Sequence, residues 1–283
     1  MHPINLIFVV ILGAIQGLAE LLPVSSSAHV IVAEKLMKID PSWPEATVLL
    51  VMLHTGTMFA VIVYFWKAWK ASIFASKEVF KQQAIRLLLA TIISAIVLLP
   101  IKVGIEKLTH SDIESLFSNL PLVAAALAAA GALILVGGLA ERTSAAVRPI
   151  GYFESGLIGA IQGLSVPFRG FSRSGATISV GMILGCAKTR VEEFSFAMAV
   201  IITPAVVGNE IWRLIKAVHK SGDPISLTSM FGPSLIGMVA AFFAGLLALR
   251  WLSGWLEHGR WYLFGIYCLV ASAVVAGLAF SGY

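Results

Sequence analysis

The stretch ILGAIQGLAELLPVSSSAH, residues 11–29, decides how this chain is read. It begins apolar enough for a membrane, yet it carries Gln16, Glu20, Pro23, Ser25, Ser26, Ser27 and His29. Ionisable side chains at membrane depth are costly, and they mark a functional site by default. Proline removes a backbone donor and breaks a helix, and irregular backbone at that depth is tolerated only where it is buried in protein or lines a wet cavity. The stretch therefore predicts a helix that enters the membrane, stops at a polar tip and turns back.

The rest of the chain supplies the membrane setting. Of 283 residues, 58% are hydrophobic and 12% charged, against roughly 25% charged in a soluble domain; mean hydropathy is +0.91. The formal charge of +5 is what basic loops flanking membrane helices produce, and no nucleic-acid signature accompanies it. The first segment has no basic leader and no small-residue cleavage site, so it reads as part of the mature fold. Cys186 and Cys268 lie in or beside apolar stretches and read as small buried hydrophobes.

A spanning helix needs about 20 mostly apolar residues, and such runs fall near 45–66, 84–105, 119–140, 194–212, 229–250 and 261–281. Regions 4–37 and 151–186 resist this reading, since each holds two apolar halves around a Pro/Ser/Gly-rich break. They also resemble each other: ILGAIQGLAE at 11–20 matches LIGAIQGLSV at 157–166, an offset of 146 residues, and Ser-rich turns follow both. The expected fold is an all-α polytopic membrane protein, one domain over 1–283. It holds six spans and two re-entrant hairpins, about ten helical segments, as a repeat at 1–146 and a second at 147–283. Three spans per repeat leave the second inverted, so the hairpins enter from opposite faces and meet near the midplane. With the N-terminus outside, eleven of the twenty Lys and Arg fall on the inner side and seven outside, with Arg169 and Arg173 set apart as site residues, in the sense of the positive-inside rule.

The polar residues form a constellation. Gln16 and Glu20 are four apart and share one helix face. Ser25 or Ser26 can cap the next helix, and His29 lies three or four residues further on, within reach of a hydroxyl or its attached group. In the second region, PFRGFSRSGAT at 167–177 offers Gly170 and Gly175 for a loose backbone, Ser172, Ser174 and Thr177 as donors, and Arg169 and Arg173 as guanidinium forks. A helix starting near Ser174 would aim free N–H groups at an anion, with bidentate contacts from Arg173. One hairpin offers carboxylate, hydroxyl and imidazole, the other positive charge, which suits phosphoryl transfer.

On these residues the sequence resembles the undecaprenyl pyrophosphate phosphatases, also called the bacitracin-resistance family, over essentially its whole length. The matching parts are the (Glu/Gln)-x-x-x-Glu motif at Gln16–Glu20, the following PVSSSAH, and GFSRSGAT at 170–177 against the family's Pro-Gly-x-Ser-Arg-Ser-x-x-Thr. The resemblance implies hydrolysis of undecaprenyl diphosphate to the monophosphate carrier of cell-wall synthesis, in the bacterial plasma membrane, with a site open mainly to the outer side. It also implies an inverted-repeat fold and a divalent cation, Mg or Ca, which with a single glutamate at hand is read as largely substrate-borne on Glu20. Carried over, Glu20 is the essential glutamate, Ser26 the serine nucleophile, His29 its neighbouring histidine and Arg173 the diphosphate clamp. Ser172 and Thr177 support them, with Ser25, Ser27, Arg169, Gly170 and Ser174 completing the phosphate site. Two departures are Gln16 where many members have Glu, and Arg169 where the motif has proline. Water activated by Glu20, or His29 itself, stands as an alternative nucleophile.

Other readings are plainer. His54 either lines the cavity or packs against Thr55 or Thr57, and Glu192 and Glu193 read as first-turn helix charges. Trp66, Trp69, Trp212, Trp251, Trp255 and Trp261 cluster at segment ends as an aromatic belt. A transporter or flippase would use the same architecture, but it has little need of a carboxylate, hydroxyl and imidazole beside a phosphate cradle.

Overall fold

The computed structural model describes residues 5–40, 43–109, 119–143, 148–221 and 227–281. Among them lie ten helices: α1 (Leu6–Leu21), α2 (Ser26–Leu36), α3 (Pro44–Ser72), α4 (Lys77–Thr109), α5 (Leu120–Thr143), α6 (Tyr152–Ser165), α7 (Arg173–Ile183), α8 (Lys188–Ser221), α9 (Leu227–Glu257) and α10 (Tyr262–Phe280). Six of these, α3, α4, α5, α8, α9 and α10, are long and apolar enough to cross a membrane. The 29 residues of α3, at ~1.5 Å rise each, outreach the ~30 Å hydrocarbon core. The 16 of α1, 11 of α2, 14 of α6 and 11 of α7 fall short.

Each expected span falls on one long helix, and the two resistant regions are the pairs α1–α2 and α6–α7. Three spanning helices separate these pairs, so the hairpins enter from opposite faces. The expected repeat boundary at 146/147 lies outside the described residues. Many large apolar side chains point outward, Leu88, Ile96, Val270 and Val274 among them, as they must where the surroundings are lipid.

Packing places the hairpins. α1 lies along α9 and α6 along α4, while α5 pairs with α10. An offset of 146 turns α1 into α6 and α4 into α9, so the first two contacts are counterparts of each other. Both are made by glycines. A Cβ on Gly13 or Gly17 would run into the carbonyl oxygens of Gly237 and Ala241 on α9, and one on Gly159 or Gly163 into those of Ala90 and Ser94 on α4. Lipid gives helices no hydrophobic drive to associate, so close approach over small residues has to hold them.

Gly17→Leu should therefore push α1 off α9, an overpacking cost of ~1–3 kcal/mol or more. Thermal unfolding in detergent checks it: Tm should fall for Gly17→Leu and hold for Gly104→Leu, where nothing stands within 4 Å of an added Cβ.

Two expectations change. Trp69 and Trp261 do not join the belt; both are buried. Trp69 donates to the Glu193 carbonyl at 3.2 Å and Trp261 to Ser179 Oγ at 3.0 Å. Segment-end position does not tell which way a side chain faces, and an indole N–H taken inside needs an acceptor. Nor are Glu192 and Glu193 simple helix-end charges. Glu192 is buried and accepts from Ser253 on α9 at 2.7 Å, while Glu193 accepts from Ser72 on α3 at 2.7 Å and from Arg190 at 3.1 Å. They tie α8 to its neighbours.

Candidate active site

The two hairpin tips meet. Pro23 lies in the turn after α1, and α2 begins at Ser26 with Ser25 as N-cap; α7 begins at Arg173 with Ser172 as N-cap. Ser25 (φ 69°) and Ser172 (φ 41°) are both in the left-handed region, uncommon for residues other than glycine and costly enough to need support from the surroundings. Ser172 Oγ accepts from Gly175 N at 3.3 Å and so caps its helix. Ser25 makes no such cap; its hydroxyl bonds Ser27 Oγ at 3.2 Å. The capping role predicted for the first hairpin is thus filled only in the second.

Hydrogen bonds join the tips. Gly170 N donates to Ser27 Oγ at 3.4 Å, Ser174 Oγ donates to the Leu22 carbonyl at 3.5 Å, and Arg173 Nη2 donates to Glu20 Oε1 at 3.0 Å. Gly170 holds φ 107°, and a Cβ there would lie 2.5 Å from the Val123 carbonyl oxygen, so only glycine fits the turn. Glu20 is held from all sides. Its Oε2 accepts a short hydrogen bond from Ser26 Oγ and a longer one, 3.4 Å, from Gln16 Nε2. Gln16 is buried and orients the carboxylate from below.

Between the tips, α3 and α8 lies a cavity of ≈ 230 Å³. Glu20, Ser25, Ser26, Ser27, Arg169, Gly170, Ser172, Arg173 and Ser174 line it together with His54. The first turns of α2 and α7 both face it, so two positive helix ends converge there. Arg173 brings Nη1, which is buried and has no hydrogen-bond partner. Buried donors are nearly always satisfied, so this nitrogen keeps a donor to spare beside a cavity that Arg173 lines. Arg169, also on the cavity wall, lies in the fields of two carboxylates, Glu34 on α2 and Glu210 on α8.

Three predicted residues sit elsewhere. His29 turns away from the cavity: Nδ1 bonds the Ser25 carbonyl at 2.8 Å, and Nε2 meets Tyr267 Oη of α10 at 2.7 Å. Its ring stacks on Tyr267 and lines a separate apolar cavity with Trp251 and Trp255. Both ring nitrogens are thus spent on fixing the strained Ser25 turn to α10. Thr177 lies below α7's first turn, bonded to the Arg173 carbonyl at 2.8 Å and Ser195 Oγ at 2.6 Å, where it holds the loop rather than faces the cavity. Gln16 does not line the cavity and reaches it through its bond to Glu20. Gln162, the residue 146 positions after Gln16, was missed although the repeat pointed to it; it lines the cavity and its Oε1 is buried without a partner.

Comparison with known proteins gives this geometry a family setting. The family model described as bacitracin resistance protein BacA matches residues 9–274. The chain is 55% identical to undecaprenyl-diphosphatase 2 of Acinetobacter baylyi, over 98% of this chain and 99% of that protein. It is 29% identical to the undecaprenyl-diphosphatase of Desulfitobacterium hafniense (94% and 93% covered) and 32% identical to that of Desulfosudis oleivorans (94% and 95% covered).

Proposed function

The chain belongs to the bacitracin resistance protein BacA family, and from that premise we infer that it is an integral membrane phosphatase that hydrolyses undecaprenyl diphosphate to undecaprenyl phosphate and inorganic phosphate. The observation that carries the reading from the site itself is the unpartnered Arg173 Nη1 beside the Glu20–Ser26 hydrogen bond. A cation donor and an activated hydroxyl on one small cavity are what attack on a phosphorus needs.

In this mechanism the terminal phosphate enters between the tips. Its oxygens accept from Arg173 Nη1, Ser172 and the free N–H groups of the first turns of α2 and α7. Glu20 Oε2 takes the proton of Ser26 Oγ as that oxygen attacks the terminal phosphorus. The bond to the bridging oxygen breaks, its electron pair stays on that oxygen, and undecaprenyl phosphate leaves as an anion. Ser26 is favoured over His29 as nucleophile because His29 has both nitrogens engaged away from the cavity.

We also propose a divalent cation, Mg or Ca, carried in by the diphosphate. No group of three His, Cys, Asp or Glu gathers among the described residues. Glu20 and the hydroxyls of Ser25, Ser26 and Ser27 are nonetheless hard oxygen donors, and one carboxylate plus phosphate oxygens is a fitting set for such an ion. When bound, it would neutralise charge on the phosphate oxygens. The outer face is our choice for the cavity mouth, as the family resemblance implies, with the Lys/Arg bias placing the N-terminus on that side.

Phosphate release from undecaprenyl diphosphate by detergent-purified protein, with Mg, with Ca and with chelator, tests the reading. Release that needs the cation is expected. Folded protein that binds the lipid yet releases no phosphate would instead favour a lipid transporter with the same phosphate site.

A further inference from the structure

We infer that His54 on α3 is the general base of the second half of the reaction, the hydrolysis of the phosphate left on Ser26. This rests on the serine mechanism above and assigns the step which that mechanism leaves open.

The need for such a group follows from Glu20. After the first half it holds the Ser26 proton, and in the second half it must give that proton back to Oγ as the phosphorus–Oγ bond breaks. It cannot also take a proton from the attacking water. Gln16 and Gln162 carry amides, which do not accept protons near neutral pH, and the guanidinium groups of Arg169 and Arg173 have no lone pair to offer. His29 faces α10. The imidazole that lines the cavity is that of His54.

Its ring is set for the task. Nδ1 lies 2.9 Å from the Leu50 carbonyl, one turn earlier on α3. A carbonyl only accepts, so Nδ1 carries the hydrogen and the neutral ring presents a lone pair at Nε2. No hydrogen bond among the described residues reaches Nε2. The ring lines the same cavity as Glu20 and Ser26, where Ser26 would carry its phosphate.

The step balances. A water oxygen attacks the phosphorus of the Ser26 phosphate and passes one proton to His54 Nε2. The phosphorus–Oγ bond breaks, its electron pair stays on Oγ, and Oγ takes the proton held by Glu20. Inorganic phosphate carries the His54 proton out as it leaves, and both residues return to their starting state.

The test uses undecaprenyl diphosphate labelled in its terminal phosphate, acid quenching, and a count of label on the protein. His54→Asn keeps an amide N–H for the Leu50 carbonyl and removes Nε2. It should lower turnover roughly 10²- to 10⁴-fold, the range of a lost general base, and should trap label on Ser26 that the unaltered protein does not accumulate. His54→Gln should behave alike, and adding Ser26→Ala to either should abolish the label. Slow turnover with no trapped label in folded His54→Asn and His54→Gln, or near-normal turnover in either, would overturn the role of His54 while leaving the serine mechanism intact. Normal turnover by Ser26→Ala alone would overturn the serine mechanism and this inference with it.

Discussion

Arg173→Ala should lower phosphate release from undecaprenyl diphosphate by at least ~100-fold, on the scale of losing one donor to the developing transition-state charge. Two losses combine in that figure. The site loses a buried guanidinium nitrogen that has no partner among the described residues, and Glu20 loses the cation that holds Oε1 at 3.0 Å. Because the proposed mechanism uses both nitrogens of a planar fork, one on the carboxylate and one on the phosphate, Arg173→Lys should recover little. A lysine offers a point charge and cannot span both. The measurement is kcat and KM for each variant in detergent, after gel filtration shows a folded protein. Near-normal turnover in folded Arg173→Ala would remove the clamp role from this residue.

Glu20→Gln and Ser26→Ala should each reduce turnover by ~100-fold or more, as expected for a general base and its nucleophile. The sharper expectation concerns the pair. In the proposed mechanism Glu20 takes the Ser26 proton, so once either is gone the other loses its part in that step, and the double variant should be about as slow as the worse single one. Were water the nucleophile, Ser26→Ala alone would cost far less than Glu20→Gln. Fully additive losses in the double variant would mean that the two residues work independently, against the direct hydrogen bond between them.

What was legible in the sequence follows from its periodicities and breaks. Length and hydropathy suffice for six spans, and Pro23 with its serines suffices for a helix that stops inside the membrane. The pairing of Glu20 with Arg173, far apart in the chain, could be anticipated because the internal repeat puts both at hairpin tips. Facing was harder to read. His29 and His54 both sit where neighbouring hydroxyls could hold them, yet only a tertiary neighbour decides which one turns to the cavity: Tyr267 on α10 captures His29, and among the described residues no hydrogen bond captures His54 Nε2. Thr177 matches the phosphate motif in sequence, but Ser195 on α8 draws its hydroxyl beneath the loop. Trp69 and Trp261 illustrate the same limit, since an acceptor on another helix pulls each inward.

The glycine contacts have a bearing on how the chain can be made. α1 emerges first from the ribosome, yet the helix its glycines require, α9, is synthesised near the end, and α6 must find α4 already in place. Neither half can bury its own hairpin, so the early segments have to wait in the bilayer with a carboxylate and a proline turn uncovered. The first hairpin therefore gains its packing partner only late in synthesis, and a truncated product lacking α9 should be left with that hairpin unsupported and open to membrane quality-control proteases.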